Sequence, residues 1–101
     1  MKPRWRKEDA ADQQKDELHK LLASLKDTGE VEKLLRELLT PAECEDLARR
    51  WHLVRLLIQG ASQRKVSKEV GIGVATVTRG ARELRNDDCM FKEMYTRLYS
   101  K

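Results

Sequence analysis

An all-α fold is what this sequence predicts, for three reasons. Apolar residues recur at three- and four-residue spacing in six successive stretches, which is the period of a helix face. Only two prolines and five glycines interrupt 101 residues, so long helices are allowed. Charged residues make up 38% of the chain and aromatics 5%, which suits surface helices with apolar stripes better than a β-rich core. No stretch alternates like a strand, and there is no internal repeat or low-complexity tract.

Leu18, Leu21, Leu22 and Leu25 predict an amphipathic first helix over roughly Glu8–Lys26, broken by Asp27-Thr28-Gly29. Val31, Leu34, Leu35 and Leu38 mark a short second helix. Thr40-Pro41-Ala42-Glu43 is a start signal for the third, with Thr40 as N-cap, Pro41 at N1 and Glu43 closing a capping box. That helix carries Leu47, Trp51, Val54 and Ile58, with Leu53 and Leu57 widening the stripe, and Gly60 ends it. Ser62 caps a short fourth helix with Val66 and Val70 inward. Gly71-Ile72-Gly73 is a tight turn, and a fifth helix from about Val74 directs Val77, Ala81 and Leu84 inward. Asn86-Asp87-Asp88 breaks the chain again, and the last helix carries Phe91, Met94, Tyr95 and Leu98. The stripes on helices one, two, three and six exceed what one small core requires, and the surplus predicts a dimer interface.

The length sets one helical domain over 8–101, behind a flexible basic arm at 1–7 in which Arg4, Arg6 and Lys7 flank Trp5. No run approaches the roughly 20 apolar residues of a membrane span. No apolar segment follows the basic start, so no signal peptide is expected and the location is taken as cytoplasmic. Cys44 and Cys89 lie far apart, without Cys or His at ligand spacing, and are read as reduced thiols. His19 and His52 are isolated, so no metal is expected. A phosphate loop, a nucleophile with its base and a paired acid are all missing from the pattern, so an enzyme is not expected.

The net charge of +4 is confined to one segment. Residues 61–85 hold six basic groups (Arg64, Lys65, Lys68, Arg79, Arg82, Arg85) against Glu69 and Glu83, whereas the rest of the chain balances. A localised basic patch is the electrostatic footprint of a polyanion site. The same segment, about 62–85, follows the logic of a helix-turn-helix. Val66 and Val70 pack the first helix, Gly71 makes the turn, Ile72 fills the corner, and Val77 and Ala81 seat the second helix. Val74, Ala75, Thr76 and Thr78 then lie near the end that enters the major groove in such motifs. Small apolar and Thr side chains suit close approach and thymine methyls. Gln63, Arg64 and Ser67 on the first helix are placed for phosphates or a guanine edge, with Arg64 the candidate for a bidentate guanine contact.

Leu38-Leu39-Thr40-Pro41, Leu47-Ala48-Arg49-Arg50, Ser62-Gln63-Arg64 and Gly71-Ile72-Gly73-Val74-Ala75-Thr76-Val77-Thr78-Arg79-Gly80 together resemble the tryptophan repressor family. The resemblance runs from about Leu34 to Tyr99 and is most specific from Gly73 to Gly80. It implies a six-helix intertwined homodimer with helices four and five as helix-turn-helix reading heads. It also implies L-tryptophan as corepressor and a palindromic operator of tryptophan biosynthesis genes as the double-stranded DNA partner. Residue by residue, Arg50 and Arg79 match the arginines that sandwich the indole, with Arg79 also pairing with the ligand carboxylate. Gly80 matches the glycine that lets the indole approach. Thr40 of the second copy matches the threonine near the carboxylate. The carbonyl end near Leu39 would accept from the ammonium, and Val54 would floor the pocket.

This chain has Glu83 where the family has a serine near the ligand's amino group. A carboxylate there can pair with the ammonium, or with Arg79 or Arg50 and so fill the pocket. Ser67 stands where the family has a lysine-like DNA contact, with Arg82 and Arg85 placed to compensate. Two alternatives stay open: a related regulator that does not respond to tryptophan, and a helical adaptor that binds an acidic protein through the basic face.

Overall fold

A computed structural model describes residues 7–99 and contains six helices: α1 (Lys7–Ala23), α2 (Thr28–Leu38), α3 (Pro41–Ile58), α4 (Gln63–Val70), α5 (Val74–Leu84) and α6 (Met90–Tyr99). There is no strand among the described residues, as predicted. None of the helices is long and apolar enough to cross a membrane. Apart from Lys7, which opens α1, the basic arm expected at 1–7 lies outside the described residues. The chain divides into two compact units, one running to Leu39 and one starting at Thr40.

In the first unit α1 stops at Ala23, three residues short of the expected Lys26. Ser24 ends it: its hydroxyl donates to the Leu21 carbonyl at 2.6 Å, and its backbone N–H is shared between the Lys20 and Leu21 carbonyls. The next residues already serve α2. Asp27 caps that helix by accepting from the Glu30 N–H at 2.8 Å, and Glu30 accepts from the Lys26 N–H at 2.9 Å. Two local polar side chains thus satisfy the Lys26 N–H, beyond the end of α1, and the Glu30 N–H in the first turn of α2. Leu18, Leu21, Leu22 and Leu38 remain exposed.

The second unit starts with the capping box the sequence predicts. Thr40 Oγ1 accepts from the Glu43 N–H at 3.2 Å, and Glu43 Oε1 accepts from the Thr40 N–H at 2.9 Å. Thr40 takes the extended conformation favoured before a proline. The backbone N–H and hydroxyl of Thr40 hold the Glu43 carboxyl below the usual carboxylate range. A carboxyl lowered on folding stabilises above its unfolded value of about 4.3, and that contribution is lost as the pH falls through the folded value. Glu43→Gln is therefore expected to melt with a shallower dependence on acid pH than the parent. Thermal melts between neutral and strongly acidic pH check this, and parallel curves for the two proteins would remove the box from the stability balance.

Gly60 closes α3 with φ +96°, while its N–H reaches Leu57 O and the Ala61 N–H reaches Leu56 O. This is the paired bonding of a Schellman ending. Ser62 then caps α4 by accepting from the Lys65 N–H. Gly71 ends α4 in the left-handed region at φ +72°, the conformation a side chain resists and the turn expected there.

The core lies where α3, α4 and α5 meet. Leu53, Val54, Val66 and Val77 are buried, with Leu57, Val70, Ile72, Leu84 and Phe91 among the side chains packed around them. α6 docks on α3 through aromatic side chains. Trp51 faces Phe91 at 6.5 Å between ring centroids, and its indole N–H donates to the Tyr99 hydroxyl at 3.4 Å. Gln59 donates to the Tyr95 hydroxyl, and the Arg55 guanidinium lies 5.1 Å from the Tyr99 ring centroid. Leu98 points away, 60% exposed. Neither Cys44 nor Cys89 is in a disulfide among the described residues.

Candidate nucleic-acid interface and ligand pocket

α4 and α5 are joined by three residues, Gly71, Ile72 and Gly73, and the turn is braced twice. Ser67, expected at the DNA, donates its hydroxyl to the Ile72 carbonyl at 2.6 Å and thereby clamps the corner. Thr78 Oγ1 donates to Gln63 Oε1 at 3.0 Å, tying the start of α4 to the second turn of α5. The Gln63 amide keeps its NH₂ donors for other partners. Of the residues expected at the DNA, Gln63, Ser67 and Thr78 are thus half-buried, while Arg64, Val74, Ala75, Thr76 and Arg85 are exposed.

Val74 is 60% exposed, and Val74-Ala75-Thr76 makes a small, uncharged tip at the first turn of α5. Arg64, Lys65, Lys68, Arg79, Arg82 and Arg85 are all exposed, and none forms an ion pair among the described residues. Their charge is therefore free to act outward.

A cavity of about 360 Å³ lies between α3 and α5. That falls within the roughly 300–1,000 Å³ of small-molecule sites. Arg50, Leu53 and Val54 line it from one stripe of α3, at positions i, i+3 and i+4. Thr76, Arg79, Gly80 and Glu83 line it from one stripe of α5, at i, i+3, i+4 and i+7, and Phe91 of α6 completes the wall. The floor is apolar, with Leu53 and Val54 buried, whereas the charged side chains are exposed at the rim. Arg50, Arg79 and Glu83 form no ion pair or side-chain hydrogen bond among the described residues. Arg79 precedes Glu83 by four residues, the less favourable order for a pair on a helix.

The structure thus brings Arg50, Val54, Arg79, Gly80 and Glu83 together around one cavity. Thr40 and Leu39, assigned to the pocket of the second copy, do not line the cavity of their own chain: Thr40 caps α3 and Leu39 ends α2. Leu53, Thr76 and Phe91 are lining residues that sequence reasoning did not assign to the pocket. Helix arithmetic finds the first two, since Leu53 is three residues from Arg50, and Thr76 three from Arg79. No local pattern points to Phe91.

Gly80 has a second reason to be a glycine. A Cβ there would stand 2.9 Å from Leu53 Cδ2 and 3.7 Å from Leu57 Cδ1, so its bare backbone is what lets α5 approach α3. Trp51 does not line the cavity and is turned toward Phe91 and Tyr99.

Residues 13–99 match the family described as Trp repressor protein. Among curated proteins, the chain is similar to a Trp operon repressor homolog of Aliivibrio fischeri (strain MJ11), 43% identical over 67 residues that cover 65% of this chain and 62% of that protein. A homolog of the same description from Photobacterium profundum is 44% identical over 69 residues, 67% of each chain. One from Vibrio cholerae is 48% identical over 56 residues, 54% of each. The first of these alignments spans less than two thirds of the relative's length. No solved structure matches the chain. With the family match extending from within α1 to the end of α6, the chain belongs to the Trp repressor family.

Proposed function

We propose that this protein is a sequence-specific DNA-binding transcriptional repressor gated by L-tryptophan as corepressor. The observation that carries the reading is the double use of α5: its first turn exposes Val74, Ala75 and Thr76, and the stripe Thr76, Arg79, Gly80, Glu83 of the same helix walls the cavity. A ligand seated against that stripe and α3 would brace the reading helix in one orientation. The gating is then a population shift, as large as the ligand's differential affinity for the head orientations. Arg50 and Arg79 would stack on the indole, and Arg79 would take the carboxylate.

The reading includes a homodimer, in which the exposed leucines of α1 and α2 are covered and residues 8–101 act as one helical domain. Thr40 and Leu39 of the second copy would complete the pocket. On DNA, Val74, Ala75, Thr76 and Thr78 would meet base edges, with Gln63, Arg64 and Arg85 at phosphates or guanine. Ser67 would contribute by holding the turn. The operator would be near-palindromic, in genes of tryptophan biosynthesis, and no catalytic step is assigned.

Selection of bound duplexes from a random pool, with and without L-tryptophan, tests the whole reading. The expected result is a near-palindromic sequence enriched when tryptophan is present, lost in Arg64→Ala, and bound with an affinity that falls steeply with salt. Equal enrichment with and without tryptophan would leave a regulator that ignores it. Binding without any sequence preference would overturn the repressor reading.

A further inference from the structure

We infer that Glu83 makes the pocket selective for a zwitterionic amino acid, by pairing with the ligand's ammonium while Arg79 takes its carboxylate. The inference rests on the ligand pocket proposed above and names the chemistry that this pocket accepts. Three features support it. First, the cavity carries two cations and one anion on its rim, and none of them is neutralised by another described residue. Second, Arg79 and Glu83 stand one helical turn apart on the same stripe, with Gly80 adding no side chain to the stretch between them. Cβ atoms at that spacing are about 5–6 Å apart, a separation that the two poles of an α-amino acid bridge by one hydrogen bond to each. Third, Leu53, Val54 and Phe91 offer an apolar floor for the ligand's side chain, which orients the polar end toward the rim.

Glu83 also acts against the wrong ligand. An aromatic acid without an amino group would bring its carboxylate to a rim that already holds one, with no cation of its own to offset the repulsion. Selectivity thus comes from an attraction and a repulsion at the same side chain. Glu83 is exposed, so solvent screening limits the effect.

Calorimetric titration of the intact protein and of Glu83→Gln tests this, with L-tryptophan and 3-(indol-3-yl)propionate, which is tryptophan lacking its amino group. The parent is expected to bind tryptophan about tenfold more tightly than the propionate, and Glu83→Gln to erase most of that ratio. Equal affinities in the parent, or a ratio unchanged in Glu83→Gln, would overturn the inference while the pocket reading stands. Binding by Glu83→Gln but not by the parent would also overturn it, since Glu83 would then be filling the site against the arginines. If neither protein binds either compound while both keep their helical circular dichroism, the tryptophan reading itself fails and this inference with it.

Discussion

Leu53→Ala is expected to lower the free energy of unfolding by about 2–5 kcal/mol, the range for truncating a buried leucine. Leu53 is 2% exposed, and its only buried companions among the described residues are Val54, Val66 and Val77. So small a core has no redundancy. The same residue decides what happens at position 80. Gly80→Ala places a methyl 2.9 Å from Leu53 Cδ2, so the buried leucine must shift to admit it. Overpacking of this kind costs about 1–3 kcal/mol, against about 1 kcal/mol recovered from the better helix propensity of alanine. Alone, Gly80→Ala is expected to be neutral to moderately destabilising. In the Leu53→Ala background the obstruction is gone and the same change becomes stabilising. Urea unfolding of the four proteins at one chain concentration measures the coupling. Additive effects would show that α5 and α3 do not meet at this pair.

Arg79→Ala is expected to weaken L-tryptophan binding by about 2–4 kcal/mol, on the order of 30- to 1,000-fold, by losing both a charged hydrogen bond and a cation over the indole face. Arg79 is exposed and has no ion pair among the described residues, so its removal should leave the fold within about 0.5 kcal/mol of the parent. Calorimetry together with a melting curve separates the two effects. Undiminished tryptophan binding in Arg79→Ala would move the ligand's carboxylate elsewhere. A protein that binds no tryptophan but melts like the parent would place Arg79 in the pocket machinery.

Much of the fold was legible because its determinants are local. Thr40, Pro41 and Glu43 bond within one turn, and that box starts α3 where expected. Gly71 takes the left-handed turn that a glycine between two short amphipathic segments implies. The end of α1 is not legible in this way, because an apolar stripe shows which face is apolar but not where the helix stops. Leu25 continues the period, yet Ser24, Asp27 and Glu30 redirect the backbone hydrogen bonds. Position alone points Ser67 to the DNA; that its hydroxyl also donates to the Ile72 carbonyl depends on how tightly the turn closes.

At the candidate site, the family resemblance implies that Arg50, Arg79, Gly80 and Glu83 share one pocket. It assigns Gly80 to ligand access, whereas the close approach of Leu53 to that position follows from packing alone. By itself the sequence determined six helices, their caps and turns, and the concentration of positive charge on one pair of them, because each is written in spacings of a few residues or in composition. Only the tertiary structure decided that Phe91 closes the cavity, that Trp51 faces away from it, and that a bare backbone at Gly80 sets how closely α5 lies on α3. These depend on side chains far apart in the chain, whose distances are fixed by how the helices pack against one another rather than by any local preference.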